Sequence, residues 1–122
     1  MTDTRRLMAE SIGTFFLVLI GPGAVMVNSA SHGSISHAGV ALAFAFVVTA
    51  MVVALGQISG AHINPAVTIG FWSVHRFPAR DVIPYVFAQC LGAIAASVVL
   101  RAVIGATGRM GATEPARAMG IG

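Results

Sequence analysis

The chain has 122 residues, 57% of them from the apolar set AVILMFWYC and only 9% charged, where a soluble domain carries about 25% charged residues. With a mean hydropathy of +0.87 it could not cover its own surface with polar groups in water, which excludes a soluble enzyme, a disordered tail and a disulfide-stapled secreted module. The net charge of +3 comes from seven arginines against Asp3, Glu10, Asp81 and Glu114; they sit at the ends of apolar runs, where cations anchor helices at lipid headgroups, and not in a patch for nucleic acid.

The elements follow from the spacing of charge. From Ser11 to His75 there is no Asp, Glu, Lys or Arg over 65 residues, and from Val82 to Leu100 none over 19. One membrane helix needs roughly 20 apolar residues. The pattern therefore predicts an all-α membrane protein of three spans. Arg5 and Arg6 before an apolar stretch resemble an export signal, but Glu10 interrupts that stretch and it continues to Val27. Residues 7–27 are read as a retained first span. The polar, turn-forming segment 28–38 follows, and 39–55 is the second span. Residues 82–103 are the third span, and 105–122, rich in Gly and Ala with Arg109, Glu114 and Arg117, are expected to be a flexible tail. Cys90, the sole cysteine, falls within an apolar run and reads as a small packing residue.

Between the second and third spans lies GQISGAHINPAVTIGFWSV, residues 56–74, polar and glycine-rich yet without a formal charge. Asn64 is a favoured N-cap and Pro65 a favoured first helical residue. A helix from Asn64 to Val74 would span only about half of a ~30 Å hydrocarbon core. Non-helical backbone at that depth is tolerated only against protein or a water-filled lumen. The expectation is a re-entrant loop returning as a half-helix whose N-terminus brings partial positive charge to midplane; a packed helix kinked at Pro65 is the plainer alternative.

SGAHINPAVT, residues 59–68, resembles the first signature of the aquaporin and glycerol-facilitator family, with Asn64, Pro65 and Ala66 as its NPA motif. AESIGTFFLVL (9–19), GVALAFAF (39–46) and RFPARDVIPYVFAQ (76–89) resemble the first half of that family in order and spacing. The family's usual chain has two inverted repeats and two NPA motifs; this sequence carries one of each, so it looks like a half-aquaporin. The resemblance implies an antiparallel homodimer that rebuilds the inverted repeat, with four pores needing eight chains. It requires insertion in both orientations, and the arginines are nearly balanced: Arg5, Arg6, Arg76 and Arg80 on one face, Arg101, Arg109 and Arg117 on the other.

The resemblance also implies roles. Asn64 would cap the half-helix with its oxygen and donate its amide into the lumen. His62 would face the pore, and Gly60, Ala61 and His62 would offer carbonyls to passing solutes. Phe44 matches the filter aromatic of the second span, Val52 the position the family takes from its fifth span, and Val67 the place of the filter arginine. Glu10, an acid inside an apolar span, resembles the glutamate that holds the re-entrant loop backbone, with Gln89 assisting. A membrane phenylalanine otherwise packs on lipid or core, as Phe46 is expected to. His32, His37 and His75 lack ligand spacing, so neither metal nor cofactor is expected.

The sequence thus predicts a passive channel for water and small neutral solutes, glycerol among them, in a prokaryotic inner membrane. It has no paired lumen carboxylates, phosphate-binding loop or nucleophile with a base, so no enzyme is expected. The reading from a different class is a non-conducting subunit or assembly partner of a full-length channel.

Overall fold

The structure, a computed structural model, describes residues 3–112. It holds four helices, α1 (Thr4–Ala30), α2 (Ser36–Ser59), α3 (Pro65–Ser73) and α4 (Ala79–Ile104), and a tight turn at Thr107–Gly111. No strand occurs among the described residues. Three helices, of 27, 24 and 26 residues, are long and apolar enough to cross a membrane. At about 1.5 Å per residue each exceeds a ~30 Å hydrocarbon core. The protein is an all-α integral membrane protein.

The helix ends follow local rules. Asp3 caps α1, its carboxylate accepting from the Arg5 N–H at 3.0 Å. Asn28 lies in the last turn of α1, and its side-chain oxygen accepts from the N–H groups of Ile35 and Ser36 at 3.1 and 2.9 Å. That pins the short connection into α2. The α2 helix ends at Gly60, whose φ of +89° glycine adopts without strain.

The order of packing is α2, α1, α4, with α1 in the middle. Arg6 reaches Asp81 at 3.4 Å, so α1 and α4 start at the same end and run parallel. They cross closely at Gly92, where a Cβ would overlap the carbonyl oxygen of Ser11. α2 runs antiparallel to α1: Phe44 seats its ring where a Cβ on Gly21 would stand, and Leu55 comes against Gly13. Only Val47 and Ser59 of α2 are buried, so nearly its whole length is open.

Residues 107–111 are not a free tail. Gly108, Arg109 and Met110 have left-handed backbone, and the turn folds onto α1 at Pro22, Met26 and Ser29. Two glycines and the short side chain of Ser29 make that close seat possible. Glu114 and Arg117 lie outside the described residues.

Candidate functional site

The site is built where α2 stops and α3 begins. The break is five residues, 60–64, because α2 continues as helix through Gly56 and Gln57. Within it Gly60, Ala61 and Ile63 have φ of +89°, +47° and +43°. For Ala61 and Ile63 such values cost of order 1–3 kcal/mol each and persist only when the surroundings over-determine them.

Glu10 supplies that over-determination. It lies about 9 Å along α1 and is fully buried. Its Oε1 accepts from the Ser59 hydroxyl at 2.6 Å and the His62 N–H at 2.9 Å. Its Oε2 accepts from the Ile63 N–H at 2.7 Å and the Gln89 amide at 2.8 Å. A carboxylate has about four lone-pair sites, and here four donors occupy it. One side chain thereby ties the end of α2, two loop amides and α4 together.

A second layer holds the start of α3. Asn64 caps it, its Oδ1 accepting from the Ala66 N–H at 2.8 Å, with Pro65 at the first helical position. Thr68 is fully buried. Its hydroxyl accepts from Gln89 Nε2 at 3.0 Å, lies 3.1 Å from His62 Nδ1, and is 3.3 Å from the Asn64 carbonyl. With Nε2 committed to Glu10 and Thr68, Gln89 Oε1 is turned away and stays a buried acceptor without a donor among the described residues.

The imidazole of His62 is not on an open surface. It stacks on Phe71 with ring centres 4.9 Å apart and meets Phe77 and Tyr85 edge-on at 4.7 and 5.4 Å. The sequence expectation of a pore-facing ring meets an apolar box already filled by three aromatic rings. Contact of His62 with Phe71 also shows that the chain doubles back: α3 returns past the loop toward the end where α1 and α4 start. Tyr85 donates its hydroxyl to the Ser59 carbonyl at 2.8 Å, closing the last carbonyl of α2.

The predicted residues divide by exposure. Glu10, Gln89, Ala61 and His62 are buried, whereas Gly60, Asn64, Ala66, Val67 and Val52 are exposed, with Pro65 between. Phe44 is partly exposed, held against α1 at Gly21. The Asn64 amide nitrogen has no acceptor among the described residues. Sequence reasoning missed Ser59, Thr68 and Tyr85. Tyr85, the only tyrosine of the chain, sits within an apolar span, where a buried hydroxyl needs a partner; that was the available signal. No group of three or more His, Cys, Asp or Glu is placed to hold a metal among the described residues.

The chain matches the family model described as Major intrinsic protein over residues 1–122. It is 46% identical to Aquaporin AqpM of Methanothermobacter thermautotrophicus over 133 residues, covering 92% of this chain and 54% of the relative. Against Probable aquaporin AqpM of Archaeoglobus fulgidus it is 41% identical, covering 100% of this chain and 58% of the relative. Against Aquaporin NIP1-1 of Zea mays it is 48% identical, covering 83% and 36%. The chain spans about half the length of its archaeal relatives. A single helical repeat with a broken helix, matched along its whole length, identifies this chain as a member of the major intrinsic protein family.

Proposed function

We propose that the chain forms half of a passive channel for water and small neutral solutes, and that two copies in antiparallel orientation enclose the pore. The open side of the repeat carries this reading. Gly60 and Asn64 stand exposed beside the N-terminus of α3, and α2 is open along its length. Unpaired backbone and a helix end cannot face hydrocarbon. A second repeat, inverted about an axis in the membrane plane, covers that side and leaves a lumen between the two. The names of the relatives and the near balance of arginines between the two faces support the same reading.

In this arrangement two α3 N-termini meet at midplane. Their positive ends and the two free Asn64 amides hold permeating oxygen atoms as acceptors and repel cations, protons included. His62 gives the lumen only its backbone, and its ring, with Glu10 and Gln89, keeps the loop in shape. The mouth is set by Phe44, Val52 and Val67. With valine in place of a filter cation the mouth is wide and apolar, so glycerol-sized neutral solutes pass with water. Four such pores would take eight chains in a prokaryotic plasma membrane.

Topology tests this reading. Cys90 is exposed on α4, so it is first replaced by Ser. Ser34→Cys in the α1–α2 connection then receives a membrane-impermeant maleimide from either side. The antiparallel pair predicts labelling from both faces. Labelling from one face alone overturns it.

A further inference from the structure

Where α3 turns into α4 a cavity of about 470 Å³ opens, lined by Trp72, His75, Arg76, Phe77, Pro78 and Ala79. It lies at the end of the molecule where α1 and α4 start, away from the loop at Asn64.

Its wall is fixed by the way α3 stops. The Arg76 N–H donates to the Phe71 carbonyl at 2.8 Å and the His75 N–H to the Trp72 carbonyl at 2.9 Å. This is a Schellman closure, with the left-handed position usually given to glycine filled here by His75 at φ +56°. The closure uses only backbone, so the side chains of His75 and Arg76 remain directed by a rigid turn yet uncommitted. Asp81, the acid of this turn, is held by Arg6. Arg76 and Arg80 have no ion-pair partner among the described residues. Phe77 is buried and packs on His62 and Tyr85, which gives the cavity a firm apolar floor. Trp72 is half exposed at the rim.

We propose that this cavity binds the headgroup of an anionic glycerophospholipid. The phosphate sits on the Arg76 guanidinium, whose fork of N–H donors fits phosphate oxygens, with His75 as a second donor. Trp72 packs on the glycerol region, the level at which an indole with one apolar and one polar edge is best placed. The charge is complementary: a guanidinium and a neighbouring Arg80, with the nearby carboxylate already paired. The same chemistry would take a soluble phosphate, but Arg5 and Arg6 at the start of α1 mark this end as headgroup depth, which favours the lipid.

Trp72 is the only tryptophan of the chain and reports on its own site. The full chain is reconstituted in phosphatidylcholine vesicles with a minor fraction of brominated phosphatidylglycerol, or of brominated phosphatidylcholine. The site predicts that the anionic lipid occupies the place beside Trp72 about fivefold over its bulk fraction. Arg76→Gln removes the preference while brominated phosphatidylcholine still quenches as in the parent, showing that Trp72 keeps its depth. Arg5→Gln leaves the preference intact. Equal quenching by the two lipids in the parent chain overturns the proposal, and so does an unchanged preference in Arg76→Gln. An equal fall in Arg5→Gln assigns the effect to general surface charge and overturns the site. Loss of the preference on adding millimolar inorganic phosphate overturns the lipid as its occupant.

Discussion

The α1–α4 side and the α2–α3 side of this repeat are both apolar in composition, yet they are built differently. Between α1 and α4 glycine brings the helices into backbone contact, and the buried Glu10, Gln89 and Tyr85 of these two helices anchor one network that reaches Ser59 at the end of α2 and Thr68 on the inner face of α3. Along α2 and the outer face of α3 most side chains are exposed, and so is Asn64. In lipid an exposed apolar side chain costs nothing, so exposure alone does not mark the second side as incomplete. The exposed backbone and helix end at its centre are what the proposed second repeat would cover. The buried contacts of the repeat gather on the first side, and the proposed pairing would use the second.

Substitutions break or sharpen that contrast. The largest effect belongs to Glu10→Ala. Four donors lose their acceptor, at about 1–3 kcal/mol for each left unsatisfied, so folded yield should collapse and thermal melting in detergent should fall by many degrees. A stable variant with altered solute preference would contradict the role given to Glu10. Gly92→Val comes next. The new side chain meets backbone of α1, not a side chain that can move, and overpacking of this kind costs about 1–3 kcal/mol or more. Its melting temperature should drop clearly, and an unchanged melt would show that α1 and α4 do not touch backbone to backbone there.

Changes on the open side should be milder for the fold and harsher for permeation. Asn64→Ala removes a helix cap, worth about 1 kcal/mol, and the midplane amide with it. The chain should still fold, while vesicles become leaky to protons in a pH-dye assay. Smallest for stability is Val67→Arg, within about 0.5 kcal/mol as for an exposed site. It should reduce glycerol flux more than water flux, read by light scattering under glycerol and sucrose gradients. Equal losses of both would argue against a wide mouth.

The spans were legible because an apolar run long enough to cross a bilayer without a charge is rare in any chain that folds in water. The cap and proline at Asn64–Pro65 announced a new helix after a break. The sequence misplaced where the break begins. Gly56, Gln57 and Ser59 look like loop residues, but helical backbone tolerates them once Glu10 and Tyr85 satisfy the end of α2. Glu10 stands out as an acid in an apolar span, while its donors do not, since Ser59 and Thr68 sit among small residues and two donors are backbone amides. The ring of His62 could not be placed from sequence, because its box is assembled from Phe71, Phe77 and Tyr85, which come from different parts of the chain. The fold-back of 107–111 was hidden by its glycine-rich composition, which signals freedom unless a partner surface is known.

In the proposed arrangement a second copy of this chain covers the open side and makes a pore. Shrinkage of proteoliposomes holding only the purified chain, followed by stopped-flow light scattering after a sucrose jump, tests it most directly. A pore made by two copies should give shrinkage well above that of empty vesicles, with no added proton leak. Shrinkage equal to that of empty vesicles, from protein shown to be folded and inserted, would contradict it and leave the chain as a non-conducting partner of some longer channel.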